Sequence, residues 1–255
     1  MTLSRRWAPA LRKLAWLVER PIAHRGLHDA DRGILENTAT AFAAAMRRGY
    51  AIECDLQLSG DGEAMVFHDA TLERLAAAKG RLIERTAAQL KQLALCATGD
   101  RMQTLPELLH QVSGRVPLVI ELKSNWDGSL ALARRVAEVV GNSDRYVALM
   151  SYDPEVVAGL AELVPQVPRG LVAERAGVTD ARLDLARRLE LRHFSHVARS
   201  RPHFLSYHVD GLPYGPPRAF RQAGLPVICW TVRDAETATW SRRYADQITF
   251  EGFLP

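Results

Sequence analysis

Apolar residues recur along this chain with two periods, and the two periods alternate. Short, nearly continuous apolar runs rich in Val, Ile and Leu read as strands of a buried parallel sheet. They are PIAHRG (21–26), AIECDLQLS (51–59), AMVFHD (64–69), PLVIELK (117–123), YVALMSY (146–152), PRGLVA (168–173), FLSYHV (204–209), VICWTV (227–232) and QITF (247–250). Between them, apolar positions fall three and four apart. This helical spacing occurs in ENTATAFAAAMRRG, TAAQLKQLAL, TLPELLHQV, SLALARRVAEVV, DPEVVAGLAELV, DARLDLARRLEL, PPRAFRQAG and DAETATWSRR. Many of these segments open on Thr, Ser, Asp or Pro and several close near Gly, as helix starts and stops do. Strands alternating with helices predict a parallel sheet.

The strand candidates number one more than an eight-stranded α/β barrel needs. Parallel neighbours require a crossover of about a dozen residues or more, usually a helix. Between Asp55 and His68 stands only LQLSGDGEAMVF, with no helical pattern and a hairpin signal at Asp61-Gly62. Residues 64–69 are therefore predicted to fold back antiparallel, bringing His68 opposite Asp55, give or take two residues. The expected fold is α/β: a TIM (β/α)8 barrel with a short hairpin insertion after the second strand. The barrel is predicted to occupy residues 21–255 as one domain. The preceding stretch, MTLSRRWAPALRKLAWLVER, is broken by Arg12 and Lys13 and has no clean signal-peptide core or cleavage site. Residues 1–20 are expected to form a short amphipathic helix packed on the barrel, with peripheral contact to an anionic membrane surface as a weaker alternative.

Composition narrows the function classes. Of 255 residues, 47% are hydrophobic and 24% charged, as in a soluble protein with a sizeable core. The net charge of +4 is scattered, which argues against nucleic acid and suits a small anionic substrate. No apolar run reaches the roughly 18 residues of a transmembrane helix. Cys54, Cys96 and Cys229 are odd in number and lack C-x-x-C spacing, against both a disulfide framework and a zinc site. A cytoplasmic protein is expected, with Cys54 and Cys229 as small buried hydrophobes.

Candidate chemistry gathers at strand ends. Glu53 and Asp55 lie two apart on one strand and so share a face, as do Glu121 and Lys123. Both pairs sit late in their strands, as does His24, and the C-terminal strand ends carry the site in barrels of this type. Each feature alone has an ordinary reading: a solvated strand face, an edge ion pair, a satisfied core histidine. Together, three carboxylates on neighbouring strands would repel one another, and a hard divalent cation removes that cost. Oxygen ligands favour Mg²⁺ or Ca²⁺.

With AHRG (23–26), ENTATAF (36–42), IECD (52–55), DGEAMVFHDATLER (61–74), IELK (120–123), SYD (151–153) and CWTV (229–232) in this order, the chain resembles the glycerophosphodiester phosphodiesterase family. The resemblance implies a TIM barrel that hydrolyses glycerophosphodiesters to glycerol 3-phosphate and an alcohol. It implies that Glu53, Asp55 and Glu121 hold the divalent metal and that His24 and His68 are the general acid and base. It further implies that Arg25 binds phosphate with Lys123 beside it, that Glu36 and Asn37 orient Arg25, and that Trp230 lines the substrate pocket. The chain departs from the family pattern at Phe250, where an Asp often stands. The short segment between Asp69 and Thr104 suggests an open site and small diesters. Two other readings stay open: a lysophospholipase D or sphingomyelinase D-like activity on lipids, and a non-catalytic glycerophosphodiester-binding barrel.

Overall fold

The computed structural model describes residues 14–96, 98–141, 146–175 and 183–255. Every strand read from the sequence forms: β1 (Ile22–Ala23), β2 (Ala51–Leu58), β3 (Ala64–Val66), β4 (Leu118–Leu122), β5 (Val147–Ser151), β6 (Arg169–Ala173), β7 (Phe204–His208), β8 (Val227–Val232) and β9 (Gln247–Phe250). The strand order is β1-β9-β8-β7-β6-β5-β4-β2-β3, with β1 also paired to β2. Eight strands thus close on themselves and β3 hangs antiparallel from β2, the topology of a TIM barrel with a hairpin insertion.

The helices are α1 (Ala15–Val18), α2 (Ala39–Arg47), α3 (Ala87–Gln92), α4 (Leu105–Val112), α5 (Ala131–Val140), α6 (Pro154–Leu163), α7 (Leu185–His193), α8 (Val197–Ser200), α9 (Gly215–Gln222) and α10 (Ala235–Ser241). All eight expected from periodicity are among them. The helix read from residue 180 begins only at Leu185, where Asp184 accepts a hydrogen bond from the Arg187 amide; residues 180–182 lie outside the described residues. One-turn α8 is too short to show a period. Of the helix expected over residues 1–20, positions 1–13 also lie outside the described residues. Among the described residues, no helix is long and apolar enough to cross a membrane.

The chain divides into two compact units. One is Ala23–Lys123 with Leu130–Val147; the other holds the residues up to Ile22, Ser124–Ser129 and Ala148–Pro255. In the first unit, β2 and β4 run parallel with Asp55 opposite Glu121. Helix α2 starts at Thr38, whose hydroxyl accepts from the Ala41 amide, and buries Ala41, Phe42, Ala44 and Ala45. Helix α4 starts with a reciprocal Thr104–Glu107 capping box. The segment between Asp69 and Thr104 is not an open loop. Leu72, Ala76, Leu82, Leu90, Leu95 and Met102 form a core of their own with Met65 and Phe67.

The hairpin register lies one residue from the centred pairing, within the expected range of two. Leu56 faces Val66 and Leu58 faces Ala64, which places Phe67, not His68, opposite Asp55. The turn explains the slip. Ser59 donates its amide to the Glu63 carbonyl at 2.9 Å, and Gly62 takes a left-handed φ of 83°. That is a three-residue loop centred on Asp61, where a two-residue loop was read from Asp61-Gly62. Arg135 on α5 grips Glu63 with two hydrogen bonds of 2.9 Å and fixes the return.

In the second unit, β5 to β9 are parallel neighbours in sequence order. Helix α1 buries Leu17 and is tied to β9 by Gln247 Nε2 donating to the Val18 carbonyl. Asp153 caps α6 through the Glu155 amide and also accepts from Ser124 and Arg187. Phe250 is buried and packs edge-on against Phe253, so the position where the family often has Asp is a core position here. Cys54 and Cys229 are buried and Cys96 is exposed; all three are free.

Candidate active site

Strand β1 ends after two residues because the chain turns sharply. Arg25 takes φ 54° and Gly26 φ 82°, both left-handed. The turn aims the Arg25 amide at Glu53 Oε2, 3.0 Å away. Gly26 is required twice over. Besides the positive φ, a Cβ there would lie 2.9 Å from the Ala41 Cβ and 3.0 Å from Phe42. Gly26→Ala is expected to destabilise the fold by about 1–3 kcal/mol, a loss that urea unfolding would read directly. An unchanged unfolding midpoint would mean the turn relaxes freely.

Glu53, Asp55 and Glu121 come together as the strand pattern requires. All three are buried, and each places an oxygen within 4.8 Å of the others. Burial, and then repulsion from Asp55 and Glu121, pushes the Glu53 carboxyl well above its usual range. Burial also raises Glu121. Asp55 goes the other way: despite burial, Lys123, His68 and Arg25 hold it below the ordinary carboxylate range. Lys123 donates to Asp55 Oδ1 at 2.8 Å and Glu121 Oε1 at 2.7 Å. Arg25 Nε stands 3.2 Å from Asp55 Oδ2, close in charge but without hydrogen-bond alignment. Two cations therefore face three carboxylates, and the donor set suits a hard divalent cation.

The two expected imidazoles flank this cluster differently. His24 Nε2 lies 3.9 Å from Glu53 Oε2. His68 leaves the end of β3, where Gln57 donates to its carbonyl at 2.9 Å. Its Nδ1 contacts Asp69 Oδ1 at 2.6 Å. Burial, with Lys123 and Arg25 nearby, lowers the His68 pKa from its ordinary value despite the attraction of Asp55 and Asp69. Asp69 is itself held low by Arg74 and His68 and so is ionised near neutrality. An ionised partner fixes the Nδ1–H tautomer and leaves the Nε2 lone pair free.

Glu36 accepts from Arg25 Nη1 at 2.6 Å. Asn37 divides its contacts. Its amide donates to the Arg25 carbonyl, while its side chain donates to Asp55 Oδ2 at 2.9 Å and accepts the Asp55 amide at 3.2 Å. Asn37 reaches this position through a left-handed φ of 55°, a conformation Asn tolerates.

Asp69 and Arg74 were given no part from the sequence alone. Arg74 donates from Nε and Nη2 to Asp69 at 2.6 and 3.0 Å, and from Nη1 and Nη2 to Glu36 at 2.9 and 2.8 Å. The visible signal was the charge pattern of His68-Asp69 and Glu73-Arg74, which does not name partners. Trp230 belongs to the other unit. It is half-buried within β8, edge-on to His208 at 4.7 Å and to Tyr152 at 5.9 Å.

Parallel α/β barrels carry chemistry at the C-terminal strand ends, and the eleven residues gathered in the first unit make a buried acidic centre bordered by cations and imidazoles. This defines an enzyme of the TIM-barrel class. The chain belongs to the glycerophosphoryl diester phosphodiesterase family, whose sequence profile matches residues 24–246. The Bacillus subtilis protein YhdW is 25% identical over 226 residues, 85% of this chain and 87% of that protein. A glycerophosphodiester phosphodiesterase of Caldanaerobacter subterraneus is 29% identical over 161 residues, 59% of this chain and 65% of its own length. An Oleispira antarctica phosphodiesterase, solved with its product sn-glycerol-3-phosphate, shares the fold. Its TM-score is 0.77 at 23% identity, covering 92% of this chain and 93% of that one.

Proposed function

We propose that the protein hydrolyses glycerophosphodiesters, such as glycerophosphocholine and glycerophosphoethanolamine, to glycerol 3-phosphate and the free alcohol. The observation that carries this reading is the convergence of Glu53, Asp55 and Glu121 beside Arg25, Lys123, His24 and His68 in a member of this family. The three carboxylates would hold a divalent ion, Mg²⁺ or Ca²⁺. The fit rests on their mutual repulsion, with Glu53 and Glu121 both driven up in its absence. When bound, such an ion supplies Lewis-acid stabilisation of negative charge on the phosphoryl oxygens.

The chain's own residues do the rest. Arg25, held by Glu36, presents a guanidinium suited to two phosphate oxygens, and Lys123 adds a point charge. Both stabilise charge that grows in the transition state. His68, kept neutral with Nε2 free, takes the proton from the attacking oxygen. His24, beside the Glu53 carboxylate, gives a proton to the leaving alkoxide. The free cysteines, two of them buried, support a reducing, cytoplasmic setting.

The test is glycerol 3-phosphate release from glycerophosphocholine by the purified protein. Release is expected to vanish with EDTA and return when Mg²⁺ or Ca²⁺ is restored. Undiminished release in EDTA would remove the metal from this reading, and no release from any glycerophosphodiester under any metal would sink the substrate class.

A further inference from the structure

We propose that Arg74 is a positioning residue that couples the two working halves of the site, holding the carboxylate that orients His68 and the one that orients Arg25 in a single guanidinium. The inference rests on the roles proposed above for His68 and Arg25. It stands on the geometry. Arg74 offers one edge, Nε and Nη2, to Asp69 and the other, Nη1 and Nη2, to Glu36. The oxygens that Arg74 Nη2 holds are the ones that meet the oriented groups: Asp69 Oδ1 also contacts His68 Nδ1 and Glu36 Oε1 also accepts from Arg25 Nη1, each at 2.6 Å. The connected path runs His68–Asp69–Arg74–Glu36–Arg25 and ends beside Asp55.

The partners come from distant parts of the chain. Glu36 precedes α2, Asp69 follows β3, and Arg74 lies early in the segment that has its own apolar core. Without Arg74, Asp69 and Glu36 would be two carboxylates with no common cation. Each would be free to turn away from the group it orients. Lysine cannot substitute, because a point charge has no second edge to hold two carboxylates in one plane. The Arg74 side chain is 45% exposed, and among the described residues its hydrogen bonds go to these two acids. It therefore acts through others, and a small cation from solvent can reach its place.

The experiment compares Arg74→Ala and Arg74→Lys with wild type on glycerophosphocholine. The proposal expects kcat to fall about 10–100-fold in both, the range for residues that orient a working group. Millimolar guanidinium should restore part of the loss in Arg74→Ala and none in His68→Ala. Combining Arg74→Ala with Asp69→Asn should cost less than the product of the single losses. Long-range ¹H–¹⁵N spectra should show His68 as the Nδ1–H tautomer in wild type and a tautomer mixture in Arg74→Ala. A kcat within twofold of wild type in Arg74→Ala overturns the proposal. So does a loss with no guanidinium rescue and an unchanged His68 spectrum, which would mark Arg74 as structural only. If wild type hydrolyses no glycerophosphodiester, the substrate reading fails, and the His68 spectrum alone still decides the clamp.

Discussion

Asp55→Asn should lower kcat/KM on glycerophosphocholine about 10²–10³-fold, the usual cost of removing one preorganised charged group from a site that stabilises a transition state. Asp55 is the most connected group in the centre. It accepts from Asn37 and Lys123, stands beside Arg25, and faces Glu121 across the sheet. The amide keeps the shape but removes the charge that anchors both cations and leaves two anionic oxygen donors where there were three. Folding stability should move much less, because two effects oppose. Lys123 and Arg25 lose a counter-charge, while Glu53 and Glu121 lose a repulsive neighbour. The linkage has a definite sign. Asp55 is depressed in the fold, so its contribution is present above its unfolded value near 3.9 and disappears as pH falls through the lower folded value. Kinetics, isothermal titration with Mg²⁺ or Ca²⁺, and thermal melts of both proteins would check this. Activity within tenfold of wild type at the same metal requirement would remove Asp55 from the metal set.

Loss of either imidazole should cost about 10²–10⁴-fold in kcat on natural substrates, and the leaving group should tell the two apart. Replacing choline by p-nitrophenol removes the need for a proton donor. His24→Ala should then recover most of its rate, and His68→Ala should not, if His68 is the acceptor. The pH profile gives the same answer independently. Burial, with Lys123 and Arg25, lowers His68 below its ordinary value of 6.5. An acceptor must be neutral, so kcat/KM should decline on the acid side with a midpoint below that value and rise above it. The reverse leaving-group pattern would exchange the two roles.

The sequence carried the architecture because a barrel strand, buried on both faces, is a continuous apolar run, and β8 and β9 match their runs end to end. It carried the acidic centre for a related reason. Glu53 and Asp55 on β2, and Glu121 with Lys123 at β4, follow the two-residue alternation, and parallel register then sets Asp55 against Glu121. What it could not carry depends on backbone angles and on contacts between distant segments. The left-handed Arg25 cut β1 to Ile22–Ala23, although arginine gives no sign of such a turn. Gly62 was visible, but not whether it ended a two-residue or a three-residue loop. Arg74 was one of many surface arginines until the fold set it between Glu36 and Asp69. Asn37 stood next to Glu36 in the sequence, yet its side chain went to Asp55 while Glu36 went to Arg25.

Strand β2 and its hairpin also bear on how this chain can change in length. One residue added within β2 would rotate every later side chain to the opposite face, sending either Asp55 or its neighbours away from Glu121. A residue added in the exposed stretch Ser113–Arg115, after α4, would be taken up by solvent-facing backbone. Insertions and deletions are thus filtered by place. A one-residue insertion after α4 is thus expected to leave the acidic centre intact, while one between Glu53 and Leu58 is expected to take it apart.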